Sequence, residues 1–420
     1  MNTAASPTAT RTADLRNYAI VTGAYWADTL TDGALRILVL FSFYDLGYSP
    51  FQVAMLFLFY EIFGIITNLI GGFLAARFGL KATLVGGLAT QLVAISMLAL
   101  VPAAWLVVPY VMAAQALSGI AKDLTKMSSK SAVKLVVPTD ASDTLFRWVA
   151  WLTGSKNALK GAGFFLGGLL LTVIGFRSAL FVLAAPVGTA LVVVLTMMRG
   201  SLGSGSAKAK FSHMFSNTRA VNVLAAARLA LFAARDVWFV VGLPVFLRTQ
   251  EGWSFWQVGA FLGGWVIFYG MVQASAPSLL RQRGHGEPIG LTATWLAFIL
   301  AALTAGIAVA LHADADASVV LVVGLLIFGV IFALNSAVHS FLILHYSDGD
   351  RVAMNVGFYY MANAAGRLLG TVLSGLLYQW QGLTACLVAS VILLLAAGMF
   401  SLLLPREVTA STQQPVRRVA

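Results

Sequence analysis

A single cysteine in 420 residues, Cys386, excludes a disulfide within the chain. Charge is also scarce: Asp, Glu, Lys and Arg make up 10% of the sequence, against 59% hydrophobic residues and a mean hydropathy of +0.86. No soluble domain has such a balance. The sequence has no glycine-rich phosphate loop, no serine nucleophile elbow and no ligand cluster for a metal. Neither catalysis nor a cofactor is therefore expected. A net charge of +11 would suggest nucleic acid in a soluble protein, but here no nucleic-acid partner is expected, because the distribution of charge matters more than its sum. The first sixteen residues carry Arg11, Asp14 and Arg16 with no apolar stretch, so no cleaved signal peptide is expected.

What the chain has instead is apolar runs of 18 or more residues along nearly its whole length. Each is long enough to cross a hydrocarbon core of about 30 Å. Such segments must satisfy their backbone polar groups internally, and a helix does so. The reading is an all-α polytopic membrane protein with twelve transmembrane helices, a lipid bilayer for its surroundings and no need of a second subunit. The spans fall at 17–44, 51–76, 82–101, 106–136, 145–173, 178–198, 219–247, 255–280, 289–311, 318–346, 352–378 and 383–404.

The chain also repeats. Gly47-Tyr-Ser-Pro-Phe-Gln-Val53 returns as Gly252-Trp-Ser-Phe-Trp-Gln-Val258, before the second and eighth spans. A shift of 207 residues, from Asp143 to Asp350, also aligns Lys160 with Arg367, Gly163 with Gly370, Gly168 with Gly375 and Gly175 with Gly382. Two pseudo-symmetric six-helix halves, 17–199 and 217–404, explain this. A Gly-, Ser- and Lys-rich linker at 200–216 would join them, with tails at 1–16 and 405–420. Halves that rock about a midplane site are the architecture of secondary transporters.

Of the 27 basic residues, loops and tails on one side hold sixteen and those on the other only two, Arg177 and Arg248. The positive-inside rule then places both termini in the cytoplasm. The other nine, Arg36, Lys122, Lys126, Lys130, Lys156, Lys160, Arg228, Arg235 and Arg367, lie inside spans with five acids, Asp28, Asp32, Glu61, Asp123 and Asp236. Spans 3, 6, 9 and 12 have no charge and are fit to face lipid. Charges within a bilayer are costly, and usually face a watery cavity or one another.

Lys122, Lys126 and Lys130 recur every fourth residue and so share one helix face, and Lys156 and Lys160 repeat that spacing. Two readings stand: the lysines neutralise nearby acids or snorkel to the surface, or they bind an anion. Five acids cannot neutralise nine bases, which favours an anion site. Arg36, Arg235 and Arg367 add planar forks suited to phosphate or carboxylate oxygens. Asn335, Tyr359 and Asn363 are candidates for hydrogen bonds to a hydroxylated ligand. Asp28, Asp32 and Arg36 stand at successive four-residue steps, either as an intrahelical ladder or as a proton-coupling site. Glu61, Asp123 and His339 are further proton-carrier candidates. His339 and His345, six residues apart, sit on different faces and do not suit a metal.

Gly71-Gly72-Phe-Leu-Ala-Ala-Arg77-Phe-Gly79-Leu-Lys81 resembles the cytoplasmic loop signature of the major facilitator superfamily, with Ala76 where the family has an acid. Gly163-Phe-Phe-Leu-Gly167-Gly168 resembles its antiporter motif. The resemblance implies a gating role for Gly72, Arg77, Gly79 and Lys81. From Asn17 to Pro405, stretches such as SGIAKDLTKMSSKSAVKLVVP and NVGFYYMANAAGRLLGT are similar to the ArsJ-type organoarsenical efflux permeases of that superfamily. That resemblance implies a bacterial inner-membrane exporter of 1-arseno-3-phosphoglycerate. It also implies a functional link to glyceraldehyde-3-phosphate dehydrogenase, which makes the ester from arsenate, and hence arsenate resistance. The same cationic site would serve another organophosphate or phosphate antiporter, and a proton-coupled drug exporter is the remaining alternative.

Overall fold

In the computed structural model, residues 7–136, 142–198, 218–281, 290–313, 315–346 and 352–405 are described. The side chains of 7–14, 69, 71–78, 130, 131, 133–136, 142–154, 277, 278, 280, 281, 344 and 352–354 are left out. The expected linker, 200–216, lies outside the described residues. The described chain is helical: α1 (Pro7–Asp45), α2 (Pro50–Leu56), α3 (Leu58–Phe78), α4 (Leu80–Leu100), α5 (Val108–Val136), α6 (Ser142–Met197), α7 (Arg219–Phe239), α8 (Gly242–Thr249), α9 (Phe255–Arg281), α10 (Gly290–His312), α11 (Ala317–His345) and α12 (Val352–Leu402).

By length and hydropathy alone, eight helical stretches among the described residues can cross a membrane. Two of them, Ser155–Met197 and Asn355–Leu402, are 43 and 48 residues long, enough for two crossings each. α6 breaks at Gly175 (φ 74°) and α12 at Gln381–Gly382 (Gly382 φ 68°). A left-handed φ is open to glycine at no steric cost, so each break sits where the sequence supplies one. The breaks raise eight to ten. The sequence reading of twelve requires α1 and α5 as well, whose charges keep them from qualifying on hydropathy. Two predicted spans are jointed: the second at Phe57 between α2 and α3, the seventh at Val240–Val241 between α7 and α8.

The repeated Gly-x-Ser-x-x-Gln motif has a physical reason. Gly47 and Gly252 both take positive φ, 89° and 69°, to turn the chain. The backbone N–H of Ser49 then donates to Gln52 Oε1 (2.9 Å), and that of Ser254 to Gln257 Oε1 (2.8 Å). Each serine and glutamine starts the next helix by satisfying its otherwise orphaned end.

The halves pack by matching rules. A Cβ on Gly163 would run into the backbone of Leu30, Gly33 and Ala34 in α1, and one on Gly370 would meet Ala233, Asp236 and Val237 in α7. Between halves, Gly168 of α6 lies against the backbone of Phe255 and Trp256 at the start of α9, while Gly375 of α12 lies against Pro50 and Phe51 at the start of α2. These are equivalent contacts under the pseudo-two-fold relation. Small residues here let backbones touch, which binds helices where no hydrophobic gain is available. Phe51 N–H also donates to Gln379 Oε1 across the same seam (3.2 Å). Val93 of α4, Val192 of α6, Trp295 of α10 and Ile392 of α12 are exposed, so the charge-free third, sixth, ninth and twelfth spans present apolar side chains outward.

Candidate functional site

The intramembrane charges collect where α1, α3, α5, α6, α7 and α12 meet. At the centre is Glu61 of α3, buried to 1% exposure. Its Oε1 accepts from Arg367 Nη2 of α12 at 2.5 Å and from Arg36 Nη1 of α1 at 3.4 Å. Arg367 Nε also lies 3.6 Å from Asp236 Oδ2, and Arg235 Nε donates to Asp236 Oδ1 at 2.6 Å. Three arginines thus share two acids across the seam between halves, and the Glu61–Arg367 bond joins one half directly to the other.

Beside this network, Tyr60 donates to Asp32 Oδ1 (2.7 Å), and Lys122 Nζ stands 4.0 Å from the Tyr60 ring centroid. Lys160 Nζ sits 5.7 Å from the Phe164 ring. Ring faces attract cations without neutralising them. Neither lysine forms an ion pair among the described residues. Lys126 differs: its ammonium donates to Asp123 Oδ1 (2.9 Å) and Asn68 Oδ1 (2.7 Å), and Thr67 donates to the other Asp123 oxygen (2.9 Å).

The three-step ladder of α1 does not form. Asp28 accepts from Thr125 (2.6 Å), Asp32 from Tyr60, and Arg36 turns to Glu61 on another helix. Carboxylates inside a bilayer take whatever donor the neighbouring helix offers, and spacing along one helix does not show those donors. Asp28 is fully buried, and its Oδ1 has no hydrogen-bond partner.

The C-terminal candidates form a second group around Arg228. Arg228 Nε donates to Asn363 Oδ1 (2.9 Å), and Nη1 donates to the Ser336 carbonyl (3.2 Å) and hydroxyl (3.0 Å). Phe232 and Tyr359 flank the guanidinium, with centroids at 4.0 and 5.0 Å. Asn335 and His339 are buried on α11, and among the described residues both amide atoms of Asn335 and Nδ1 of His339 lack partners. His345 instead stacks on Phe341. Sequence reasoning named Asn335, Tyr359 and Asn363 but gave no role to Arg228, which contacts Tyr359 and Asn363 and bonds to Ser336, the chain neighbour of Asn335. The available signal was the seven-residue spacing of Arg228 to Arg235, two turns along one face.

Of the loop residues, Gly79 turns with φ 80° ahead of α4, and Lys81 Nζ donates to the Met198 carbonyl at 2.6 Å. Arg16 donates to the neighbouring Met197 carbonyl (2.7 Å). Two cations therefore cap the carbonyl end of α6, where helix dipoles favour positive charge. Gly72 and Arg77 lie in α3, and the side chains of Arg77 and Lys130 lie outside the described ones. Lys156 is partly buried on α6, one residue from Ser155, which accepts from Trp26 (3.1 Å).

A helical bundle with lipid-facing apolar spans and a charged layer between two related halves is the build of a multi-pass membrane transporter. The sequence profile of the Major Facilitator Superfamily matches residues 21–348, and the chain belongs to that family. No curated protein matches the sequence. Among solved structures, the chain is similar to a POT family transporter in complex with a thioalcohol-conjugated peptide (TM-score 0.75, 12% identity, 92% of this chain and 95% of that one). It is similar to a POT family transporter in complex with 5-aminolevulinic acid (TM-score 0.74, 14% identity, 92% and 95%). A third likeness is to a bacterial homologue of the iron transporter ferroportin in its inward-facing state (TM-score 0.67, 17% identity, 92% and 98%). At these identities the likeness is one of fold.

Proposed function

We propose that the protein exports an organic arsenate or phosphate ester, 1-arseno-3-phosphoglycerate, from the bacterial cytoplasm by alternating access, and so confers arsenate resistance. One observation carries the reading. Eight basic side chains, Arg36, Lys122, Lys126, Lys156, Lys160, Arg228, Arg235 and Arg367, share the interior with five acids, Asp28, Asp32, Glu61, Asp123 and Asp236. Such an excess of charge in a bilayer is stable only when water or an anion compensates it. A three-carbon ester with a charged group at each end supplies that compensation, and the similarity of the lysine-rich stretches to organoarsenical permeases names the ester. A lipophilic cation would meet repulsion in the same place, which disfavours the drug-exporter alternative.

The test is resistance in an arsenate-sensitive bacterium. Co-expression of this chain with a glyceraldehyde-3-phosphate dehydrogenase is expected to raise the tolerated arsenate several-fold, while either protein alone gives little. Equal resistance from the transporter alone, or none from the pair, counts against the arseno-ester.

A further inference from the structure

Arg228 is the least explained charge in the molecule. It is 4% exposed, and no described Asp or Glu pairs with it. A cation held this way costs free energy that neutral partners such as Asn363 and Ser336 repay only in part. Other groups beside it are also unsatisfied. On α11, Phe328 packs edge-on against Trp238 of α7 (5.3 Å between centroids) and Phe332 against Phe232 (5.3 Å). The two helices run antiparallel, so the stripe continues one turn on to Ser336, which holds Arg228, with Asn335 its chain neighbour and His339 three residues further along. Both amide atoms of Asn335 and Nδ1 of His339 are buried without a partner among the described residues. Buried polar atoms are seldom left so, and here a missing acceptor and donor would sit beside an uncompensated positive charge.

The group also has an entrance and a second wall. Asn363 and Gln273 are partly exposed, and Gln273 and Tyr269 of α9 both donate to the Ser336 hydroxyl (3.2 and 3.3 Å). Between those two α9 residues lies Gly270, where a Cβ would come within 2.9 Å of Asn157 Cβ on α6. Lys156 is the chain neighbour of Asn157, and the 207-residue repeat sets Asn363 in register with Lys156 and Arg367 with Lys160. The Arg228 group thus lies across α9 from the lysines of the first half, two turns, about 10 Å along α7, from Arg235.

We propose that Arg228, with Asn335 and His339 beside it, binds one anionic end of the substrate, while lysines of the first half bind the other, so that the site selects molecules with two separated oxyanions. This rests on the anion-export reading above. The guanidinium offers its free edge to a carboxylate, phosphate or arsenate oxygen, the Asn335 amide donates to the same group, and the anion supplies the missing counter-charge.

The test uses the purified full-length chain in lipid nanodiscs. Two probes are titrated by calorimetry: 3-phosphoglycerate, with two anionic groups, and glycerol 3-phosphate, with one. Wild type is expected to bind 3-phosphoglycerate about tenfold more tightly or better. In Arg228→Gln and Asn335→Ala that preference should largely vanish through weaker 3-phosphoglycerate binding, with glycerol 3-phosphate changed little. Asn335→Ala removes no hydrogen bond to any described residue, so it decides the matter should Arg228→Gln fail to fold. Equal wild-type affinity for the two probes, or a preference kept in the variants, overturns the two-anion site and leaves anion export standing. Wild type that binds neither probe overturns both.

Discussion

Glu61→Gln is expected to abolish transport and to lower stability by about 3 to 5 kcal/mol, the cost of removing one partner from a buried ion pair. The size follows from the position of this carboxylate. It is the shared acceptor of Arg36 and Arg367, contributed by α1 and α12, and its loss leaves two guanidiniums facing each other, Arg367 keeping its ion pair with Asp236 and Arg36 none among the described residues. A second substitution should give part of the stability back. Arg36 has no other ion pair among the described residues, so Glu61→Gln with Arg36→Met removes the orphan along with its partner. Melting in detergent reads stability, and uptake into vesicles reads transport. The double variant is expected to melt higher than the single one yet stay inactive, because the bond between halves is still missing. A single variant that melts and transports like wild type would show that the network is not what couples the halves.

The opposite signature is expected at the lysines. Lys122→Gln with Lys160→Gln should lower export by about a hundredfold, given about 1.5 kcal/mol for each hydrogen bond from a charged group. Stability should change little. Neither ammonium forms an ion pair among the described residues; Lys160 shares its surroundings with Arg367, Asp32, Arg36 and Lys156, and Lys122 with Asp123, Arg367, Asp32 and Glu61. Removing two cations that form no ion pair relieves their repulsion with Arg367, offsets it with the loss of nearby acids' attraction, and takes charge from the ligand. Loss of stability together with activity would identify these lysines as structural, and full export would remove them from the site.

Much of this architecture could be read from the residues, for reasons that differ from part to part. The spans were legible because a bilayer demands long apolar helices, and the pseudo-symmetry because Gly47-x-Ser-x-x-Gln52 and Gly252-x-Ser-x-x-Gln257 perform the same turn and cap. Gly168 and Gly375 were visible as a repeat, and their reason is the close backbone approach each makes to the opposite half. Partner choice among the charges was not legible. Spacing left open an Asp28–Asp32–Arg36 ladder or a proton-coupling site; all three side chains answer to other helices, so the ladder does not form, and of the lysines it is Lys126 that takes Asp123. Those pairings depend on how α1, α3, α5 and α12 are set against one another, which no single-helix periodicity contains. Arg228 was passed over for the same reason, since its meaning lies in neighbours contributed by α11 and α12.

The most direct measurement is arsenic uptake by everted membrane vesicles that contain this protein. Arsenate, glyceraldehyde 3-phosphate, NAD and glyceraldehyde-3-phosphate dehydrogenase are supplied outside, and a parallel sample omits the dehydrogenase. Accumulation of arsenic inside the vesicles that requires the dehydrogenase is the predicted result. Arsenic that stays outside in both samples, or enters equally without the enzyme, would contradict export of an arseno-ester.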